Sequence, residues 1–178
     1  MSKRRSGLHN HTRAYCYSDF ITRKSFSITI PPNIMFETNA QLETLRGIKY
    51  INGTILIDFN FISNDIINIA KNNTEIPDLT VFDDLIVLNG SLIFLDCSSL
   101  TTISGFTNLT IITNLLNITN NSSLENLSGF TSITKIGGGI IITDNTNLQI
   151  CKTTYDAINR ARGTTSFINT SSIINNDC

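Results

Sequence analysis

Between residues 104 and 134 the chain reads SGFTNLTIITNLLNITNNSSLENLSGFTSIT, so SGFTNLT returns as SGFTSIT after 24 residues. The match extends in both directions. ITNLLNI (112–118) aligns with IGGGIII (136–142) and with LNGSLIF (88–94), and INGTILI (51–57) joins them across a wider gap of 37 residues. One column holds Ile51, Leu88, Ile112 and Ile136, and the next odd position holds Gly53, Gly90, Asn114 and Gly138. Ile55, Leu92, Leu116 and Ile140 follow, then Ile57, Phe94, Ile118 and Ile142. Apolar residues two apart are the pattern of a half-buried strand. A fixed period of this size marks a repeat architecture in which no unit can bury its apolar column alone.

Further columns lie beyond each strand. Leu100, Leu124 and Leu148 recur, as do Ile103 with Leu127, Gly105 with Gly129, and Phe82, Phe106 and Phe130. Leu85, Leu109 and Ile133 precede the next strand, and Leu45 with Ile48 reads as an earlier, degenerate copy. Each unit is therefore expected to be one short strand, a turn, a second apolar corner and an SGF bend. Stacked strands sit ~4.8 Å apart, so each side chain packs on its counterparts in the units above and below. Asp96, Asn120 and Asp144 share one turn position, and Cys97, Asn121 and Asn145 share the next. Stacked amides there can satisfy backbone groups and one another. The additional residues of the long unit fall in 58–78, where NDIINIAKN reads either as a short helix or as an insertion loop.

The ends depart from the pattern. KSFSITIPPN (24–33) alternates Phe26, Ile28 and Ile30 before two prolines, as a first strand or N-terminal cap would. Residues 1–23 read as a loosely attached or disordered tail. Residues 151–178 break the repeat: TTYDAINRAR is a short helix with a Thr N-cap at 153 or 154 and Gly163 as its stop. Cys151 opens this segment and Cys178 ends it, and the pair is read as a disulfide clamping helix and return strand over the last unit. Such a loop would contribute on the order of 3 kcal/mol by chain entropy; two reduced thiols are the alternative. Cys97 either bridges to Cys16 or is a small buried apolar residue in its column.

The strand columns, the SGF bends and the Cys–helix–Cys ending resemble the receptor L domain, the right-handed β-helix module of insulin- and EGF-receptor ectodomains. The resemblance covers 42–178 and is carried by NGSLIFLDCSSLTTISGFTNLTII, by NNSSLENLSGFTSITKIGGGIIITDNTNLQIC and by Cys178. DNTNLQIC is similar to the turn that closes the family's repeats, with Thr146 where proline is common. The second cysteine that the family's N-terminal cap usually carries is missing between Cys16 and Cys97. The resemblance implies an all-β fold: a single right-handed parallel β-solenoid of about four to five coils, with an N-terminal cap (24–41), coils (42–150) and a C-terminal cap with a short helix (151–178). It also implies a non-catalytic scaffold that displays a sheet face to a ligand, which fold alone does not identify.

Charged residues make up 15% of the chain and the net charge is −1, so the electrostatic footprint of a nucleic-acid binder is lacking. No apolar run reaches about 18 residues, so no helical membrane span is expected. The basic start MSKRRSGLHNHTRAYCYSDF has no apolar core of about 7–15 residues, so it does not read as a signal peptide. HNH (9–11) lacks the metal frame of the nuclease motif, GGG (137–139) opens no helix and reads as close backbone packing, and Asp83 and Asp84 read as turn residues. No nucleophile–base spacing occurs, so neither an enzyme, a metal nor a cofactor is expected.

Ten N-x-S/T sequons occur, at Asn10, Asn52, Asn72, Asn89, Asn108, Asn117, Asn120, Asn121, Asn126 and Asn169. Of these, Asn52, Asn89, Asn108, Asn117, Asn126 and Asn169 are candidate glycan sites. The opposing reading is an Asn/Thr-rich composition in which sequons accumulate unselected. Candidate contact residues are the outward strand positions Thr54, Leu56, Ser91, Ile93, Leu115, Asn117, Gly139 and Ile141. Leu56, Ile93 and Ile141 would form an exposed apolar stripe interrupted by Asn117, the mark of an interaction surface. The expected role is a protein-binding module, extracellular or displayed on a surface; a self-associating wall or virion protein is the alternative.

Overall fold

The computed structural model describes residues 27–29, 35–36, 39–58, 66–69, 78–162, 166–168 and 173–175. The tail expected over residues 1–23 lies outside them. In chain order the first elements are β1 (Ser27–Thr29), β2 (Met35–Phe36), α1 (Asn39–Leu42), β3 (Tyr50–Asn52), β4 (Thr54–Asp58) and β5 (Ile66–Ile69). The central repeats supply β6 (Val87–Asn89), β7 (Leu92–Leu95), β8 (Ile111–Ile112), β9 (Leu115–Thr119), β10 (Lys135–Ile136) and β11 (Gly139–Thr143). The chain closes with β12 (Gln149–Cys151), α2 (Lys152–Ala161), β13 (Ser166–Ile168) and β14 (Ile173–Asn175).

The fold is dominated by parallel β-structure. Five strands form one sheet in the order β1-β3-β6-β8-β10, seven form a second in the order β13-β11-β9-β7-β4-β5-β2, and β12 pairs with β14. The register is the one the repeat demands. Ile51 pairs with Leu88, Leu88 with Ile112, and Ile112 with Ile136. In the second sheet Ile55, Leu92, Leu116 and Ile140 are successive partners, as are Ile57, Phe94, Ile118 and Ile142. All these side chains are buried. Each such burial contributes about 1.5–3 kcal/mol. Phe82, Phe106 and Phe130 form a parallel column, with ring centroids 4.9 and 5.8 Å apart, and Phe94 meets Phe106 edge-on at 6.2 Å.

Four expectations need correction. The single strand of each repeat is two strands in two sheets, divided at Gly53, Gly90, Asn114 and Gly138. Alternation of apolar residues survives such a corner, because the side chains on both sides still point inward. Ile66–Ile69 is neither helix nor loop. It is β5, paired in parallel with β4 (Thr54 opposite Ile66) and with β2 (Met35 opposite Asn68). Three β-branched isoleucines around one asparagine fit a pleated strand better than a helix.

The C-terminal segment also continues the pairing rather than ending it. Ile136 bridges to Arg162, Ile140 pairs with Ser166 and Ile150 with Ile174. The helix α2 is inserted between two such layers and packs on β10, β12, β14 and the turn at 128–130. It begins at Lys152 with Cys151 in the N-cap position, and Thr154 is 2% exposed inside it, so neither threonine is the cap.

Successive repeats approach closely at the bends. A Cβ placed on Gly129 would lie 1.7 Å from the Gly105 carbonyl oxygen, and one on Gly105 would lie 1.9 Å from that of Leu79. The same closeness explains GGG, since a Cβ on Gly137 would meet the Thr113 carbonyl oxygen at 2.2 Å. Gly129→Ala is therefore expected to lower unfolding free energy by about 3 kcal/mol in urea titration, whereas Ser128→Ala next to it stays within about 0.5 kcal/mol.

Candidate interaction face and polar ladders

Outward positions of the seven-stranded sheet lie between the buried columns. Leu56, Ile93, Asn117 and Ile141 are successive register partners. They do not form an open apolar stripe. Leu56 is 3% exposed, and Ile93, Asn117 and Ile141 are half-buried. Thr54 and Ser91 serve the stack instead: their hydroxyl oxygens accept from the Ser91 and Leu115 backbone N–H groups, each at 3.3 Å. Gly139 is buried. What remains on this face is Ile93, Leu115, Asn117 and Ile141, joined by half-buried Leu95, Thr119 and Thr143. Those last three sit at the end of each strand, one alternation beyond the aligned heptads, which is why column matching missed them. Thr119 donates to Asn117 Oδ1 at 2.6 Å and lies 3.3 Å from the Thr143 hydroxyl.

The turn after this sheet carries two ladders. Asp96, Asn120 and Asp144 have φ of 52°, 56° and 56°, the left-handed region that Asp and Asn tolerate best. Asn120 donates from Nδ2 to Asp96 Oδ1. In the adjacent column Cys97 and Asn121 are fully buried and Asn145 is 2% exposed. Asn121 Oδ1 accepts from the Cys97 N–H at 3.0 Å, and Asn145 Oδ1 accepts from the Asn121 N–H at 2.9 Å and from its Nδ2 at 3.0 Å. Asn121 Nδ2 also donates to the Phe94 carbonyl, and Asn145 Nδ2 to that of Ile118 at 2.8 Å. Cys97 Sγ donates to the equivalent Ile57 carbonyl at 3.2 Å, a thiol rung in an amide ladder. Cys97 is a buried thiol outside any disulfide, so of its two readings the small buried residue of the column holds and the bridge to Cys16 does not.

The sequon asparagines are mostly rungs as well. Nδ2 of Asn52 donates to Thr29 Oγ1 (3.4 Å), Asn89 to Asn52 Oδ1 (3.2 Å), Asn108 to the Asp83 carbonyl (2.8 Å) and Asn126 to Thr102 Oγ1 (3.0 Å). Asn89 and Asn108 are exposed, Asn52, Asn117 and Asn126 half-buried, and Asn169 lies outside the described residues. The aligned asparagines thus have a structural reason to recur every repeat. Asp83 is likewise a turn residue that accepts from the Thr107 hydroxyl at 2.9 Å.

Charge plays a small part. Arg46 joins Glu43 and Asp78 in an exposed cluster, and its hydrogen bond holds the Glu43 carboxyl below the usual range while Glu43 raises Arg46. An open groove of about 670 Å³ is lined by Thr102, Glu125, Asn126, Ser128, Asn147, Gln149 and Cys151. Cys151 is half-buried and disulfide-bonded, with its partner outside the described residues. Among the described residues no three His, Cys, Asp or Glu side chains are grouped to hold a metal ion, and no helix is long and apolar enough to cross a membrane.

Truncating one rung tests the ladder. Asn121→Ala strands the buried Cys97 N–H and the Phe94 carbonyl and leaves a void, so it is expected to cost about 2–4 kcal/mol by chemical denaturation. Asn147→Ala, on an exposed turn, serves as the near-neutral reference.

Compared with known proteins, the chain matches no family model, no curated protein and no solved structure.

Proposed function

We propose that the chain is a right-handed parallel β-helix of the receptor L-domain type, a non-catalytic module that presents the outward face of its seven-stranded sheet to a protein partner. Handedness rests on the strong preference of parallel crossovers within one sheet, right-handed in about 98% of cases. The observation that carries the functional reading is the face itself. Ile93, Leu95, Leu115 and Ile141 lie together with Asn117, Thr119 and Thr143, all half-buried and all uncharged. Interface cores are depleted in charge in the same way.

A surface-displayed or extracellular setting fits the half-cystine at Cys151. Cys178 is its proposed partner, because β14 sets Asn175 opposite Cys151, three residues before the C-terminal cysteine. Non-reducing peptide mapping is expected to recover a Cys151–Cys178 linked peptide, with Cys97 alkylated only after unfolding; a Cys16–Cys151 peptide would overturn the clamp. Asn108, an exposed candidate away from the Asn52–Asn89 ladder, is the proposed glycan acceptor of such a protein.

The contact face is tested with a photo-crosslinking side chain at position 141 and, as reference, at exposed Glu125 in the groove. In material from the native source, a discrete adduct with a second protein is expected from position 141 alone. Equal adducts from both positions, or none, would sink the assignment. Adducts of twice the chain mass would replace it with a self-associating structural role.

A further inference from the structure

The five-stranded sheet has an outward face of a different kind. Tyr50 is the large apolar side chain most open to solvent among the described residues, 44% exposed. Its register partners on one side are Val87 and then Ile111, both half-buried, so an aromatic ring leads an apolar ridge across three strands. Two residues further along the same strands, and on the same face, runs a second line: Thr29, Asn52, Asn89 and Thr113. These four are hydrogen-bonded in sequence. Asn52 donates to Thr29 at 3.4 Å, Asn89 to Asn52 at 3.2 Å, and Thr113 to Asn89 Oδ1 at 3.0 Å.

That chain of bonds uses only half of each amide. Asn52 and Asn89 each donate one Nδ2 proton and accept once at Oδ1, which leaves a second proton and a second lone pair on each for a ligand. The rungs are already held by their neighbours, so little side-chain entropy remains to be lost on binding. Beyond the ladder lie Gly53 and Gly90, with no side chains to overhang it. The face is therefore an apolar ridge beside a row of paired donors and acceptors, repeating every ~4.8 Å; neither column carries a charge from Tyr50 to Thr113, and exposed Lys135, in register with Ile111, follows at the far end of the ridge.

We propose that this face binds a neutral polysaccharide. A pyranose ring has an apolar C–H face, suited to the Tyr50 ring and the Val87–Ile111 ridge, and an equatorial edge of hydroxyls that both donate and accept. The strand spacing approximates the length of one hexose along an extended chain, so successive sugars meet successive rungs. The ladder offers only amides and hydroxyls, and Lys135 is the single cation in register with the ridge among the described residues, at its far end; a polyanion would need a cation at each repeat, so the ligand is an uncharged chain.

The test is retention of the purified full chain on insoluble neutral polysaccharides: a β-1,4-glucan, a β-1,3-glucan, chitin and a mannan. Retention on at least one of them is expected, competed by its soluble oligosaccharide. Tyr50→Ala should weaken retention about tenfold, and since Tyr50 is solvent-facing its circular dichroism should match the parent. Val87→Lys provides a second disruption of the ridge. Ile93→Arg with Ile141→Arg, on the other sheet, should leave retention unchanged, which separates this face from the proposed protein contact. Failure to bind any of the four, equal retention of Tyr50→Ala, or equal capture by a casein matrix would overturn the proposal.

Discussion

Everything in this structure depends on parallel backbone pairing between units that repeat every 24 residues in the central stretch, in register and without slippage. Because side chains alternate with a period of two, a one-residue slip would carry every isoleucine and leucine of a strand from the interior to solvent. Register is thus enforced by the full buried column at once, from Ile55 through Leu92 and Leu116 to Ile140. Glycine at 105, 129 and 137 reinforces the same constraint from outside, since backbone of one unit sits where a Cβ of the next would be.

A second consequence is that polar residues can be buried with little cost. An isolated buried asparagine would leave unsatisfied groups, at about 1–3 kcal/mol each. Asn121 and Asn145 avoid this because each has a counterpart one unit away, and their amides bond both to one another and to the backbone turns they cover. The abundance of asparagine and threonine is therefore partly architectural. Several sequons are rungs whose Nδ2 already serves the neighbouring unit, and this lowers the weight of sequon number as evidence of glycosylation.

Stacking also separates the chemistry of the two sheets. The seven-stranded sheet offers half-buried Ile93, Leu115 and Ile141, while the five-stranded one offers Tyr50 beside a line of amides and hydroxyls. Two faces with different surfaces on one scaffold can serve two partners of different chemistry without competing for space.

The buried columns, the turn ladders and the place of Cys97 among them were legible in the sequence, because a repeat aligns like residues and burial follows from their alternation. Three features were decided only by the folded chain. The corner at Gly53, Gly90, Asn114 and Gly138 divides each strand between two sheets, yet inward side chains on both sides preserve the alternation and hide the division. The IINI segment becomes a strand because an open edge beside β4 supplies partners that its own residues cannot announce. The exposure of Leu56, Thr54 and Ser91 was set by neighbours distant in sequence, and so was the resumption of pairing after α2 at Ser166. Periodicity is a property of the chain and can be read from it; which sheet a strand joins, and what covers its outer face, are properties of contacts between units.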